Sequence, residues 1–252
     1  MELGLRGLKV LVTGASAGIG AGIARSMAAE GARLVLVART LAKLEEIRTS
    51  ILRDHPDLQI ELEACNLSDS KVIDDLAQRH SDVDVLVNNA GAVPTGNLFD
   101  VDEAAWRAGW DTKVFPYINM CRRFYLVQKA RGGGVIINVL GSGSLQKKFS
   151  YLCGGMGNAA LDFFTETLGA HSPIDNIRVL GVCPGPVATE RYRAITELRV
   201  AQGLEQPKMP FNRIATPQEL GDMVTFLASS RCGYVSGSIH VVDAGISVAK
   251  AV

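Results

Sequence analysis

Thr13-Gly14-Ala15-Ser16-Ala17-Gly18-Ile19-Gly20 follows directly on the apolar run Leu8 to Val12. That run is rich in branched side chains and stops at a threonine–glycine pair, the pattern of a strand entering a turn. Beyond the turn, Ile19, Ile23, Ala24, Met27 and Ala28 recur at helical spacing, and Gly31 closes the helix. Glycines between a strand and a helix let the backbone turn tightly and approach a diphosphate, which then faces the positive end of the helix dipole. Gly14, Ser16, Gly18, Ile19 and Gly20 are therefore expected to grip the phosphates of a dinucleotide.

Working outward, short β-branched runs alternate with helical stretches along the chain, as in βαβ units built on a parallel sheet. Leu34 to Val37 is the second strand, and a helix with Leu44 and Ile47 follows. Ile60, Leu62 and Ala64 alternate with glutamates, which places that strand towards a sheet edge. Val83 to Val87 and Val135 to Val139 are almost uninterrupted apolar runs, as central strands buried on both faces require. Val179 to Val182 and Ile239 to Val242 complete the set. Between them Thr216-Pro217-Gln218-Glu219 reads as a capping box with proline at the first helical position. The expected fold is α/β, a Rossmann-like doubly wound sheet of about seven mostly parallel strands with helices on both faces. No internal repeat or linker divides residues 1–252, so one domain is expected. The weakly patterned stretch 190–213 is expected to serve it as a substrate lid.

Twenty-six basic residues balance twenty-six acidic ones. A neutral chain has no global attraction to nucleic acid or an anionic membrane, and neither is expected as a partner. No apolar run approaches the roughly 18–20 residues that span a bilayer, and residues 1–9 carry both charge signs without an apolar region. The five cysteines are scattered, with no CxxC pair, which suits reduced thiols in a cytoplasm. The four histidines, His171 among them, show no ligand spacing, so no metal site is expected.

The spacing of the first turn is G-x-x-x-G-x-G. With Asn88-Asn89-Ala90-Gly91 after the fourth strand and Pro184-Gly185 after the sixth, the chain resembles the short-chain dehydrogenase/reductase family over essentially its whole length. The resemblance implies that the stretch with Asn89 and Gly91 steadies the central sheet and lines the adenosine ribose. It implies that Pro184, Gly185, Val187 and Thr189 contact the nicotinamide carboxamide, and that Asn66 and Leu67 meet the adenine. Charge selects the coenzyme. A carboxylate at the end of the second strand would bind both ribose hydroxyls and repel a 2′-phosphate. Ala38 stands there instead and Arg39 follows, a guanidinium able to pair with that phosphate twice. NADP(H) is therefore favoured over NAD(H); a solvated arginine in a polar loop is the competing reading.

The family's reaction uses a tyrosine as general acid, a lysine four residues later, a serine that orients the carbonyl and an asparagine on the preceding long helix. Aligned without gaps, the serine falls on Gly141, the tyrosine on Gly154 and the lysine on Asn158. The asparagine, counted from Trp106, falls on Lys113. All four differ, which marks an atypical member. Tyr125 and Lys129 match Y-x-x-x-K but precede the fifth strand, a place suited to helix surface. One reading rearranges the groups. Lys113 and Asn158 exchange the lysine and asparagine types between two helices, and Pro116, which cannot donate to the Thr112 carbonyl, bends the helix beside Lys113. Ser142 follows the serine position, and Tyr151 lies where its phenol can enter the void at Gly154. The competing roles are an apolar pocket wall for Tyr151 and a surface lysine for Lys113. The expected function is NADP(H)-dependent oxidoreduction of a small molecule with a carbonyl/alcohol or related C=N or C=C group. A silent NADP(H)-binding sensor or scaffold, and a non-redox isomerase or lyase, stay open.

Arg191, Arg193, Arg199, Lys208 and Arg213 outnumber Glu190, Glu197 and Glu205 in the lid, an excess that suits an anionic substrate or simply solvated loop charge. The long helix with Trp110, Phe115, Tyr117, Ile118 and Met120, and the one with Leu161, Phe163, Phe164 and Leu168, are apolar over wide faces. Family members pair through these helices, so a homodimer or homotetramer is expected.

Overall fold

Seven strands pair in the order β3-β2-β1-β4-β5-β6-β7, every pair parallel. They are β1 (Lys9–Thr13), β2 (Arg33–Ala38), β3 (Ile60–Ala64), β4 (Val85–Asn88), β5 (Gly134–Val139), β6 (Ile177–Pro184) and β7 (Ile239–Val242). The structure is a computed structural model that describes residues 1–201, 203, 205 and 207–248; the side chain of Arg199 and residues 202, 204, 206 and 249–252 lie outside it. The strand order reverses between β1 and β4. In an open parallel sheet that reversal leaves a crevice at the carboxyl ends, where ligands bind.

Period-two alternation sends successive residues to opposite faces. Val10 and Val12 of β1 pack with α1 (Gly18–Ala29) and α2 (Leu41–Asp54), through Ile23, Met27, Leu44 and Ile47. Leu11 packs on the other face with Ile73 and Leu76 of α3 (Ser70–Arg79). The expected edge position of β3 holds, for its glutamates are solvated or half-buried while β1 and β4 are buried throughout.

Next come α4 (Glu103–Thr112) and α5 (Val114–Ala130). Where the sequence suggested one bent helix there are two, separated at Lys113, whose φ −129° and ψ −60° are not helical. Pro116 in the first turn of α5 supplies the reason: it has no N–H for the Thr112 carbonyl, and the ladder resumes only with Tyr117 donating to Lys113. Tyr117, Met120 and Phe124 are fully buried against the sheet, so the fold itself consumes most of the apolar surface read on that segment.

A short α6 (Gly143–Gln146) and the long α7 (Leu152–His171) follow β5. The weakly patterned stretch from 190 opens with a helix, α8 (Glu190–Ala201), that the sequence does not mark. Tyr192 and Thr196 are half-buried, whereas Ile195, Leu198 and Val200 are exposed, so the sequence carries no apolar stripe to betray it. The capping box before α9 (Pro217–Ala228) forms as expected, Glu219 N donating to Thr216 Oγ1 at 3.2 Å and Thr216 N to Glu219 Oε2 at 2.8 Å.

Candidate active site

The crevice is stitched by β1 and β4 themselves. Thr13 Oγ1 accepts from the backbone N–H of Asn89 (2.8 Å) and Ala90 (3.0 Å) and donates to the Val87 carbonyl at 3.3 Å. The Asn89 amide donates to the carbonyls of Thr13 and Gly14. The sequence marks Thr13 only as the end of the strand and gives no sign of this bridging role, because a threonine closing a strand carries no special signal.

The glycines are required by space. Gly14 sits at φ +67°, and a Cβ there would come within 2.9 Å of Ala90 and Asn89. A Cβ on Gly20 would lie 2.2 Å from the Gly14 carbonyl, so helix and turn touch backbone to backbone. A Cβ on Gly18, at φ +55°, would lie 3.0 Å from the Thr189 methyl. The Pro184–Thr189 segment therefore closes onto the turn holding Ser16 and Ile19. Gly185 N is fixed by the Val242 carbonyl at 3.0 Å, and Val187 is buried beside Ala215. Ala17, which precedes helix α1, offers no side-chain cap, leaving the first amides of the helix open. A side-chain-free turn and an uncapped helix start fit a diphosphate. Arg39 is exposed just past β2 and has no side-chain partner among the described residues. Leu67 is buried; Asn66 is exposed, its Oδ1 accepting from Ser68 N at 3.2 Å.

Lys113, in the break between α4 and α5, is only 8% exposed. Its Nζ donates to Asn158 Oδ1 at 2.8 Å and to the Leu140 carbonyl at 3.2 Å. Gly91, at φ +143°, makes room for it, since a Cβ there would meet the Lys113 side chain at 2.8 Å. Burial, with the nearby Arg191 cation, lowers the Lys113 ammonium to about 8. The two helices thus bring ammonium and amide together. Gly141 must stay small, for a Cβ on it would lie 2.9 Å from Asn158 Nδ2.

Tyr151 stands just before α7, and its ring fills the place of the missing side chain at 154: a Cβ on Gly154 would lie 2.1 Å from its Cζ and 2.4 Å from its hydroxyl. Gly143 flanks the ring on another side. Burial pushes the phenol up, and the guanidinium of Arg191 pulls it back. Ser142 is buried, its Oγ accepting from Gln146 Nε2 at 3.0 Å. The other Y-x-x-x-K pair stands apart, Tyr125 and Lys129 both bound to Asp175 at 2.7 and 2.9 Å. The sequence marks Arg191 only as lid charge; its position two residues beyond Thr189 is the signal that points to a site role. Among the described residues, no group of three or more His, Cys, Asp or Glu side chains could hold a metal ion.

Residues 14–247 match a family model described as enoyl-(acyl carrier protein) reductase. The galactitol 2-dehydrogenase (L-tagatose-forming) of Cereibacter sphaeroides is 31% identical, over 97% of this chain and 96% of the relative. The 2-keto-3-deoxy-L-fuconate dehydrogenase of Xanthomonas campestris pv. campestris is 28% identical, over 96% of this chain and 81% of the relative. Among solved structures, L-sorbose reductase from Gluconobacter frateurii, complexed with NADPH and L-sorbose, superposes with a TM-score of 0.88 at 29% identity, covering 97% of this chain and 98% of that one. A 7α-hydroxysteroid dehydrogenase complexed with NADH gives 0.88 at 27% identity, over 97% and 96%.

Proposed function

This chain belongs to the short-chain dehydrogenase/reductase family, and from that premise we propose that it is an NADP(H)-dependent oxidoreductase with a rearranged catalytic set. Its relatives are dehydrogenases and reductases of small molecules. The proposed reaction interconverts a carbonyl and an alcohol, or a related C=N or C=C group. The observation that carries the proposal is the 2.8 Å bond between Lys113 and Asn158, an ammonium and an amide at each other's family positions.

Bound in the crevice, a nicotinamide supplies or takes up a hydride. Gly14, Ser16, Gly18, Ile19 and Gly20 hold its diphosphate in this proposal, and Arg39 its 2′-phosphate. Asn66, Leu67, Asn89 and Gly91 line the adenosine, and Pro184, Gly185, Val187 and Thr189 the carboxamide. Tyr151 gives or takes the proton at its hydroxyl, with the Arg191 guanidinium favouring the phenolate. Lys113 and Asn158 keep a positive, hydrogen-bonding floor beneath it, and Ser142 orients the reacting oxygen once its hydroxyl turns from Gln146. One domain is proposed, cytoplasmic, with residues 190–213 as its lid. It pairs into a homodimer or homotetramer through exposed residues of α5 and α7, among them Phe115 and Phe163. The change of all four family positions, at Lys113, Gly141, Gly154 and Asn158, favours the second reading, a silent NADP(H)-binding sensor or scaffold, or a non-redox isomerase or lyase.

NADPH oxidation with a panel of ketones, quinones and imines tests the proposal. Turnover on at least one is expected, reduced about 100-fold in Tyr151→Phe with NADPH affinity kept. Tight NADPH binding without turnover on any compound would transfer the case to the second reading.

A further inference from the structure

Arg191 lies in the first turn of α8 and reaches across to the loop after β4, its Nη2 donating to the Val93 carbonyl at 3.0 Å. Val93 is buried in the loop after β4, in a small cluster with Val101 and Cys153, against which Trp106, Trp110 and Tyr151 pack. The guanidinium therefore stands on the wall that carries the phenol, with Lys113 behind. Two cations face one crevice. Among the described residues, no carboxylate lies within 4.0 Å of either. Asp162 of α7 touches Lys113 only through its weaker, longer-range field. Arg79, Arg107, Arg123, Arg131 and Arg213 each meet a carboxylate. A guanidinium has five N–H donors in a planar fork; the Val93 carbonyl takes one of them and the Tyr151 hydroxyl draws on another, which leaves donors for a further acceptor. Like charges held together without a counter-ion raise the energy of the empty site, and an anion between them lowers it.

The mouth beside this wall is apolar. Gly96 N donates to the Ser150 carbonyl at 3.0 Å, joining the loop after β4 to the segment before α7. On these two segments Phe99 and Phe149 meet edge to face with centroids 6.4 Å apart, both exposed. Such a rim suits an apolar body rather than a polyol.

We propose that Arg191 is a carboxylate receptor, and that the substrate is an oxo acid whose carboxylate pairs with the guanidinium fork while its apolar end lies towards Phe99 and Phe149. This rests on the redox reading above for the fate of the oxo group, but the receptor is testable by binding alone.

Phenylglyoxylate and methyl phenylglyoxylate share a carbonyl and a ring and differ in charge. Titrated calorimetrically into the protein–NADP+ complex, the acid is expected to bind at least tenfold more tightly than the ester. In Arg191→Met the acid-to-ester ratio falls to about one, and Arg191→Lys, which keeps the charge and loses the fork, falls between. Arg193→Met, exposed on the same helix, leaves the ratio as in wild type, which separates a local receptor from general basic charge. Retained NADP+ binding certifies that each variant is folded. Equal binding of acid and ester, no binding of either, or an acid preference that survives Arg191→Met overturns the receptor. NADPH oxidation with the same pair is scored separately: selective acid binding without turnover sinks the redox reading and leaves the receptor standing.

Discussion

Arg39 follows β2 as an exposed cation with no side-chain partner among the described residues, and the proposed coenzyme preference depends on it alone. Arg39→Asp is expected to lower the NADPH-to-NADH ratio of kcat/KM at least 100-fold, since it replaces a twofold charge-assisted contact with repulsion; an unchanged ratio would remove Arg39 from that role. Lys113 carries a stability prediction. Its ammonium titrates near 8 in the fold against 10.5 ordinarily. Between those values the unfolded chain holds the proton and the folded one does not, so this group's contribution to stability rises with pH through that window and is a penalty below it. Wild type should therefore gain up to about 3 kcal/mol on Lys113→Met between pH 7 and pH 10, read from urea unfolding of both proteins. A difference that does not move with pH would mean that the ammonium is not desolvated.

The break between α4 and α5 is what aims Lys113 at Asn158. Pro116 and Gly91 act together there, one interrupting the helical ladder and the other clearing space for the side chain. Pro116→Ala restores a donor for the Thr112 carbonyl and lets the two helices run together, turning Lys113 away. Its kcat/KM is expected to fall at least tenfold with coenzyme affinity kept, because small misplacements of reacting groups are costly; unaltered turnover would show that the break is incidental. Helix α8 illustrates a limit of periodicity. Ile195, Leu198 and Val200 are all exposed and point in different directions around it, so no apolar stripe marks the buried side.

For the whole molecule, the proposed pairing of copies rests on apolar surface that the monomer leaves over. Phe163 is 71% exposed and Phe115 50%, whereas Tyr117, Met120 and Leu161 on the same helices are spent in the core. Phe115→Glu combined with Phe163→Glu should shift a dimer or larger species to monomer by light scattering at micromolar concentration; a monomeric wild type would defeat the pairing. The strand series, the parallel sheet and the glycine turn were all legible in the chain, because burial on one or two faces imposes a local alternation and a tight turn admits few residues. The same reading placed Lys113 and Asn158 as possible neighbours but had no means to join them, being 45 residues apart. Spacing along the chain cannot reveal which side chain fills a void left by another, so the fit of the Tyr151 ring over Gly154, the reach of Arg191 to Val93 and the burial of Lys113 emerged only when strands and helices were packed in three dimensions. Local pattern determined the scaffold; the neighbours of each reactive group, and hence its charge, were decided by packing between distant segments.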